Sequence, residues 1–252
     1  MKKKVISCLL VACLLSGCGS NNVNTIVEEE SEAAVEETEA MVETENEEKS
    51  QNSLTMLSHG AVMDWYNSNK TEIGIYVYAY MQNNTDEVLE NVRYQCTVLR
   101  ESDATVLATT DLFRSYIAPH ETAILAGSIS MSMDDANDIG ESTLKCLNID
   151  SVNASKAKIV PQSEIVVDAI SANMGPVDMV FLGQVTNNGK YTISNGDITL
   201  VAKKDGEPQA IVQGQLYADI KSGDTYTFEL HGTANMTGDY DEYDVYVDCI
   251  QW

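Results

Sequence analysis

A unit of strand, polar turn and strand occurs twice in this chain, and that duplication limits the fold more than any other feature. Tyr80-Met81-Gln82-Asn83-Asn84-Thr85 returns 104 positions later as Gln184-Val185-Thr186-Asn187-Asn188-Gly189. Asn91 through Leu99 aligns with Asn195 through Lys203, each read as a strand that follows an asparagine. Ile117-Ala118-Pro119-His120-Glu121-Thr122 matches Ile220-Lys221-Ser222-Gly223-Asp224-Thr225, and Leu144-Lys145-Cys146 and Val247-Asp248-Cys249 close the two copies. Four correspondences in one order mark repeated supersecondary units that must each bury an apolar face.

The alternation inside the repeat identifies those units as strands. In Asp197 through Lys203, the residues Ile198, Leu200 and Ala202 share one face; in Thr225 through His231, Tyr226, Phe228 and Leu230 do. Period two predicts a core on one side and water on the other. Asn195-Gly196, Asp205-Gly206 and Ser222-Gly223-Asp224 supply turn chemistry between the runs, and no long helical pattern competes. Six or seven such runs per copy predict an all-β fold of two tandem β-sandwiches, over 53–155 and 163–252, joined near Val160-Pro161-Gln162.

The order of asparagine turn, strand, Asp-Gly turn, strand and Thr-led strand in 187–230, and more loosely in 83–129, is similar to the small immunoglobulin-like FxLYD modules of bacterial surface lipoproteins. The first copy departs from it at Glu101-Ser102-Asp103, which lacks the glycine, and neither copy carries the Phe-x-Leu-Tyr-Asp string. The resemblance implies that the two tandem β-sandwiches are immunoglobulin-like, and it implies no catalytic residues.

The chain begins with Met1, three lysines (Lys2, Lys3, Lys4) and an apolar run from Val5 to Leu15, the layout of a signal peptide over 1–17. The run ends in Leu15-Ser16-Gly17-Cys18, which resembles the lipobox of bacterial lipoproteins. That resemblance implies cleavage before Cys18 and lipidation of its thiol, so the mature chain is expected to be lipid-anchored at the cell membrane on the extracytoplasmic side. Each buried methylene contributes about 0.8 kcal/mol, so two or three acyl chains hold durably. Residues 18–52 follow as a lipidated N-terminus and tether. Between Gly19 and Asn52 eleven glutamates face one lysine, Lys49, with no aromatic residue. Such a stretch buries too little apolar surface to offset its ordering entropy and is expected to be disordered, with an end-to-end distance of about 30 Å before charge repulsion extends it.

The whole chain has a formal net charge of −24, and the part beyond the tether is acidic in its own right. An acidic surface repels phosphate backbones and anionic headgroups, which argues against nucleic acid as a partner and against membrane binding by the folded part itself. Three cysteines remain beyond Cys18: Cys96, Cys146 and Cys249, each on the apolar phase of its strand. An exported chain permits a Cys96–Cys146 disulfide, while buried free thiols acting as small hydrophobes are the alternative.

The search for chemistry is mostly negative. His59, His120 and His231 are scattered without metal-ligand spacing, and no nucleophile elbow, phosphate-binding glycine loop or dinucleotide fingerprint is present. Neither a metal nor a cofactor is expected. Two acidic strings at matching places in the repeat, Asp134 through Asp138 and Asp239 through Asp244, bring hard oxygen ligands together but lack the calcium-loop pattern, so solvated loop charge is the simpler account. Tyr76, Tyr78 and Tyr80 alternate along one strand, which places three phenols on one sheet face about 6.6 Å apart. Such a row is either a platform for a sugar or protein ligand, or a surface packed beneath a loop or against the second domain. The expected function is a non-enzymatic binding module for a protein or glycan; the alternative is a structural spacer or accessory subunit of an envelope complex. An enzyme is the least favoured reading.

Overall fold

The computed structural model describes residues 53–67, 69–152, 158–175, 178–233 and 239–251. The signal-like segment, Cys18 and the acidic stretch lie outside the described residues. Within them the chain is all-β, as the alternation predicts. The first copy supplies β1 (Leu54–Tyr66), β2 (Glu72–Asn83), β3 (Val88–Arg100), β4 (Val106–Ile117), β5 (Thr122–Ser132) and β6 (Ile139–Val152). The second supplies β7 (Ile165–Met174), β8 (Met179–Asn187), β9 (Ile193–Lys204), β10 (Glu207–Leu216), β11 (Thr225–His231) and β12 (Glu242–Gln251). A five-residue helix, α1 (Met133–Asn137), is capped where the Ser132 hydroxyl accepts from the Asp135 backbone N–H.

Each copy folds as two three-stranded leaves. In the second these are β11-β8-β7 and β10-β9-β12. The first has the same pattern, β1-β2-β5 over β4-β3-β6, with the leaves joined at one corner by the Phe113–Ala126 pair of β4 and β5. Every strand therefore has a counterpart six strands later, so the sequence repeat is a repeat of topology. Ile75, Val77, Ala79 and Met81 of β2 meet Val92, Cys96 and Leu112 from the opposite leaf in the first core; Phe181 and Val185 meet Ile198, Leu200 and Val247 in the second.

The duplicated asparagines explain why the repeat is so legible at that point. Asn83 and Asn187 are fully buried at the end of β2 and β8. The Asn83 amide donates to the carbonyls of Glu87 at 2.8 Å, Ile117 at 3.2 Å and Ala118 at 3.0 Å, and its Oδ1 accepts from the Thr85 N–H at 2.9 Å. Asn187 does the same with Tyr191 at 2.7 Å, Ile220 at 2.8 Å and Gly189 at 2.9 Å. Buried backbone groups at a loop crossing need partners, and one amide serves several of them.

One turn expectation and the expected strand starts at the two asparagines are corrected. Asn195-Gly196 is not a turn but lies within β9, where β12 shows a register shift between Cys249 and Ile250. Its counterpart Asn91 lies inside β3 at φ +54°, beside a similar irregularity against β6, so these asparagines mark bulges rather than strand starts. By contrast Asp205-Gly206, at φ +54° and +79°, does turn β9 into β10. The first copy, lacking that glycine, instead places Ala104 at φ +57°.

The three cysteines are free thiols, Cys96 and Cys249 buried and Cys146 partly exposed. No Cys96–Cys146 bridge forms. Cys96 lies opposite Leu144 and Cys146 opposite Tyr94, a diagonal relation on neighbouring strands. Diagonal neighbours are roughly 7–8 Å apart, whereas a disulfide requires Cβ atoms about 3.5–4.5 Å apart.

Candidate functional site

The tyrosine row is not an open platform. Tyr76, Tyr78 and Tyr80 lie on the outer face of β1-β2-β5 and pack, with Val62, Ile124 and Ala126, against Val201, Ile211 and Tyr246 of the second sandwich. Tyr78 and Tyr80 meet edge to face at 5.8 Å between centroids, and Tyr80 lies 6.4 Å from Tyr246. The Tyr80 hydroxyl donates to Asp244 Oδ2 at 3.2 Å, and Lys203 Nζ is 2.5 Å from the same carboxylate and 5.9 Å from the Tyr80 ring centre. Burial, with Asp244 adding to it, raises the Tyr80 phenol well above its ordinary value, so it remains a neutral donor. The second alternative for this row, packing against the second domain, is the one realised. It also corrects the expectation of water behind β9: Val201 and Thr199, on the face opposite Ile198, Leu200 and Ala202, are buried too.

The two acidic strings are each answered by a cation at the same place in the repeat. Arg100, at the end of β3, reaches Asp103 at 3.6 Å, Asp135 at 2.8 Å and Asp138 at 3.7 Å. Lys204, at the end of β9, reaches Asp239 at 3.3 Å and Asp241 at 3.7 Å. Among the described residues no group of three or more His, Cys, Asp or Glu is placed to hold a metal ion. The histidines are scattered: His231 contacts Asp178 at 2.7 Å and Glu229 at 2.8 Å, His120 contacts Asp86 at 2.8 Å, and His59 contacts Ser142 at 3.2 Å. Asp178 and Glu229 together hold the His231 imidazole above its usual value.

The residues that sequence reasoning missed sit beside the tyrosines. Arg114 of β4 is 4% exposed and lies 2.5 Å from Asp248 of β12, itself 10% exposed, so the pair crosses from one sandwich to the other. Its guanidinium carbon stands 5.5 Å from the centre of the Tyr246 ring. Burial pushes the Asp248 carboxyl up to about 6, Arg114 opposing the rise and Asp197 and Glu121 adding to it. Glu121 in turn accepts from the backbone N–H groups of Gln162 and Ser163. The connecting segment is tied in as well: Ile159 bridges Ile250, and Gln162 donates to the Val247 carbonyl and accepts its N–H at 3.1 Å. Strand register makes Leu216 the counterpart of Arg114, so a guanidinium occupies a core position of the other copy, but the sequence correspondence pairs it with exposed Tyr217 and hides this.

Farther along the same outer face of β10-β9-β12 the two sandwiches leave a cleft of about 330 Å³. Asp197 and Thr199 of β9, Gln213 and Gln215 of β10, and Phe113 and Ser115 of β4 line it, with the Arg114–Asp248 pair alongside. Asp197 and Asp248 are directly opposed in the β9–β12 ladder, a like-charge pairing that is unfavourable without a cation nearby. Arg114 supplies that cation from the other sandwich.

No family model and no curated protein matches the chain. Among solved structures, the crystal structure of red sea bream transglutaminase aligns with 87% of this chain at 10% identity and a TM-score of 0.22. The alignment spans 32% of that enzyme's chain, and so distant a likeness carries no argument about activity.

Proposed function

We propose that this chain is a lipid-anchored, extracytoplasmic binding module in which two immunoglobulin-like sandwiches act as one head. The Leu15-Ser16-Gly17-Cys18 string supports the anchor, and the paired three-stranded leaves support the immunoglobulin-like reading. The observation that carries the binding reading is the junction, where tyrosine packing and a buried ion pair flank a ligand-sized cleft between the two sandwiches. Ligand sites favour such domain interfaces. Recognition without chemistry is favoured because Asp248, whose protonation is most shifted among the cleft residues, is engaged by Arg114 rather than left to act on a ligand.

A second reading, that of a spacer or accessory subunit in an envelope complex, draws support from the closure of the tyrosine face and the internal neutralisation of both acidic strings. Two experiments test the proposal. Metabolic labelling with an alkyne fatty acid should tag the natural chain and leave Cys18→Ala unlabelled; an unlabelled natural chain contradicts the anchor. A photo-crosslinking side chain at Gln213 should capture a ligand in living cells, whereas no capture together with a weakened envelope on deletion favours the spacer.

A further inference from the structure

We infer that the cleft between the two sandwiches takes the end of an uncharged saccharide. The inference rests on the binding reading and names its ligand class. Size and place fit first: about 330 Å³ lies at the lower end of the usual range for ligand sites, and the walls come from strands rather than loops. The lining then decides the chemistry. Ser115, Thr199, Gln213 and Gln215 each carry both donors and acceptors, and Asp197 adds acceptors, so a group that presents donors and acceptors side by side is matched. Adjacent hydroxyls on a pyranose ring are such a group.

Apolar and polar surface line the cleft in similar measure, and an aromatic edge is the exposed apolar part. Phe113, 41% exposed, borders the cleft, and Tyr217, 77% exposed, is held near it because its hydroxyl donates to Gln215 Oε1. The Arg93 guanidinium stands 5.6 Å from the Phe113 ring centre on one face, which leaves the other face for the C–H surface of a sugar. A peptide is less well served, because the lining provides one exposed aromatic ring and its other large apolar residue, Ile198, is fully buried.

Charge narrows the class further. Asp197 and Asp248 face one cation, Arg114, which Asp248 already holds at 2.5 Å, so the cleft is net negative in a chain of formal charge −24. Uronates, phosphates and other anions are repelled at close range. Neutral sugars meet no such penalty.

The test uses the full chain in a detergent without a sugar headgroup, titrated with neutral hexose- and N-acetylhexosamine-terminated oligosaccharides, their uronate-terminated counterparts, and a pool of random extended peptides. At least one neutral saccharide should bind saturably, with its uronate counterpart at least about tenfold weaker. Gln213→Ala, Asp197→Ala and Phe113→Ala each change an exposed side chain, so the fold should survive; each should weaken binding about tenfold, the scale of one lost hydrogen bond or stacked ring. Glu229→Ala, on the opposite leaf, should change nothing. Failure of every neutral saccharide, binding indifferent to the three substitutions, or equal affinity for uronates overturns the inference. Peptide binding abolished by Gln213→Ala would overturn the saccharide class while leaving the binding reading intact. Silence from every ligand, with no capture at Gln213, removes both.

Discussion

Asn83 and Asn187 show how much one buried side chain can determine. Each satisfies carbonyls from two separate segments and a backbone N–H, so replacing it strands several buried polar groups, each costing about 1–3 kcal/mol. Asn83→Ala should therefore lower unfolding free energy by about 3 kcal/mol in urea titration, and Asn83→Asp should not rescue it, because a carboxylate cannot donate to those carbonyls. The pair was visible in the sequence as a repeated Asn-Asn. Its burial was not, since asparagine at a turn reads equally well as a solvated residue. Asp248 makes a different residue-level point. Its carboxyl titrates near 6 in the folded chain and near about 3.9 when unfolded, so the folded state binds the proton more tightly. Its contribution is fully present below about pH 4 and lost as pH rises through about 6, of order 3 kcal/mol in total. Across pH 7 to 5 the natural chain should gain stability relative to Asp248→Asn; parallel pH profiles would contradict this.

Strand alternation told which residues share a face, and in β2, β9 and β11 it did so correctly. It could not tell what covers that face. Ile198, Leu200 and Ala202 were identified as core residues, yet Val201 on the reverse of β9 is just as deeply buried, because a second layer of protein lies there. The same limit applies to the tyrosines, whose spacing fits a ligand platform and an interface equally well. Cysteine placement carries a comparable ambiguity: sharing an apolar phase brought Cys96 and Cys146 to one leaf, but register sets them diagonally. Reductant should therefore leave the melting temperature unchanged. A maleimide should label Cys146 in the folded chain, while Cys96 and Cys249, buried and with thiols raised by that burial, Cys249 to about 12, should react on unfolding. Rapid labelling of Cys249 in the native chain, or a reductant-sensitive melt, would contradict the assignment.

The duplication is asymmetric where the two copies meet. The positions of Tyr76, Tyr78 and Tyr80 are held in β8 by Val180, Leu182 and Gln184, and on the other surface the places of Val201 and Asp248 are held in the first copy by Thr97 and Lys145. One copy thus presents the tyrosine face and the other the face that receives it. The difference between the copies is legible in the sequence, and it is the difference an interface requires. Arg114 was harder to find, because its significance depends on Asp248, far away in sequence. The central claim is that the tyrosine row locks the two sandwiches into one body. Spin labels placed at exposed Thr109 and Glu229, with Cys146→Ser, test it most directly by pulsed dipolar spectroscopy. A single narrow distance distribution, broadened by Ile211→Asp at the centre of the interface, is the expected result. A broad distribution in the chain with Ile211 intact would mean that the sandwiches move independently and that the tyrosine face is open after all.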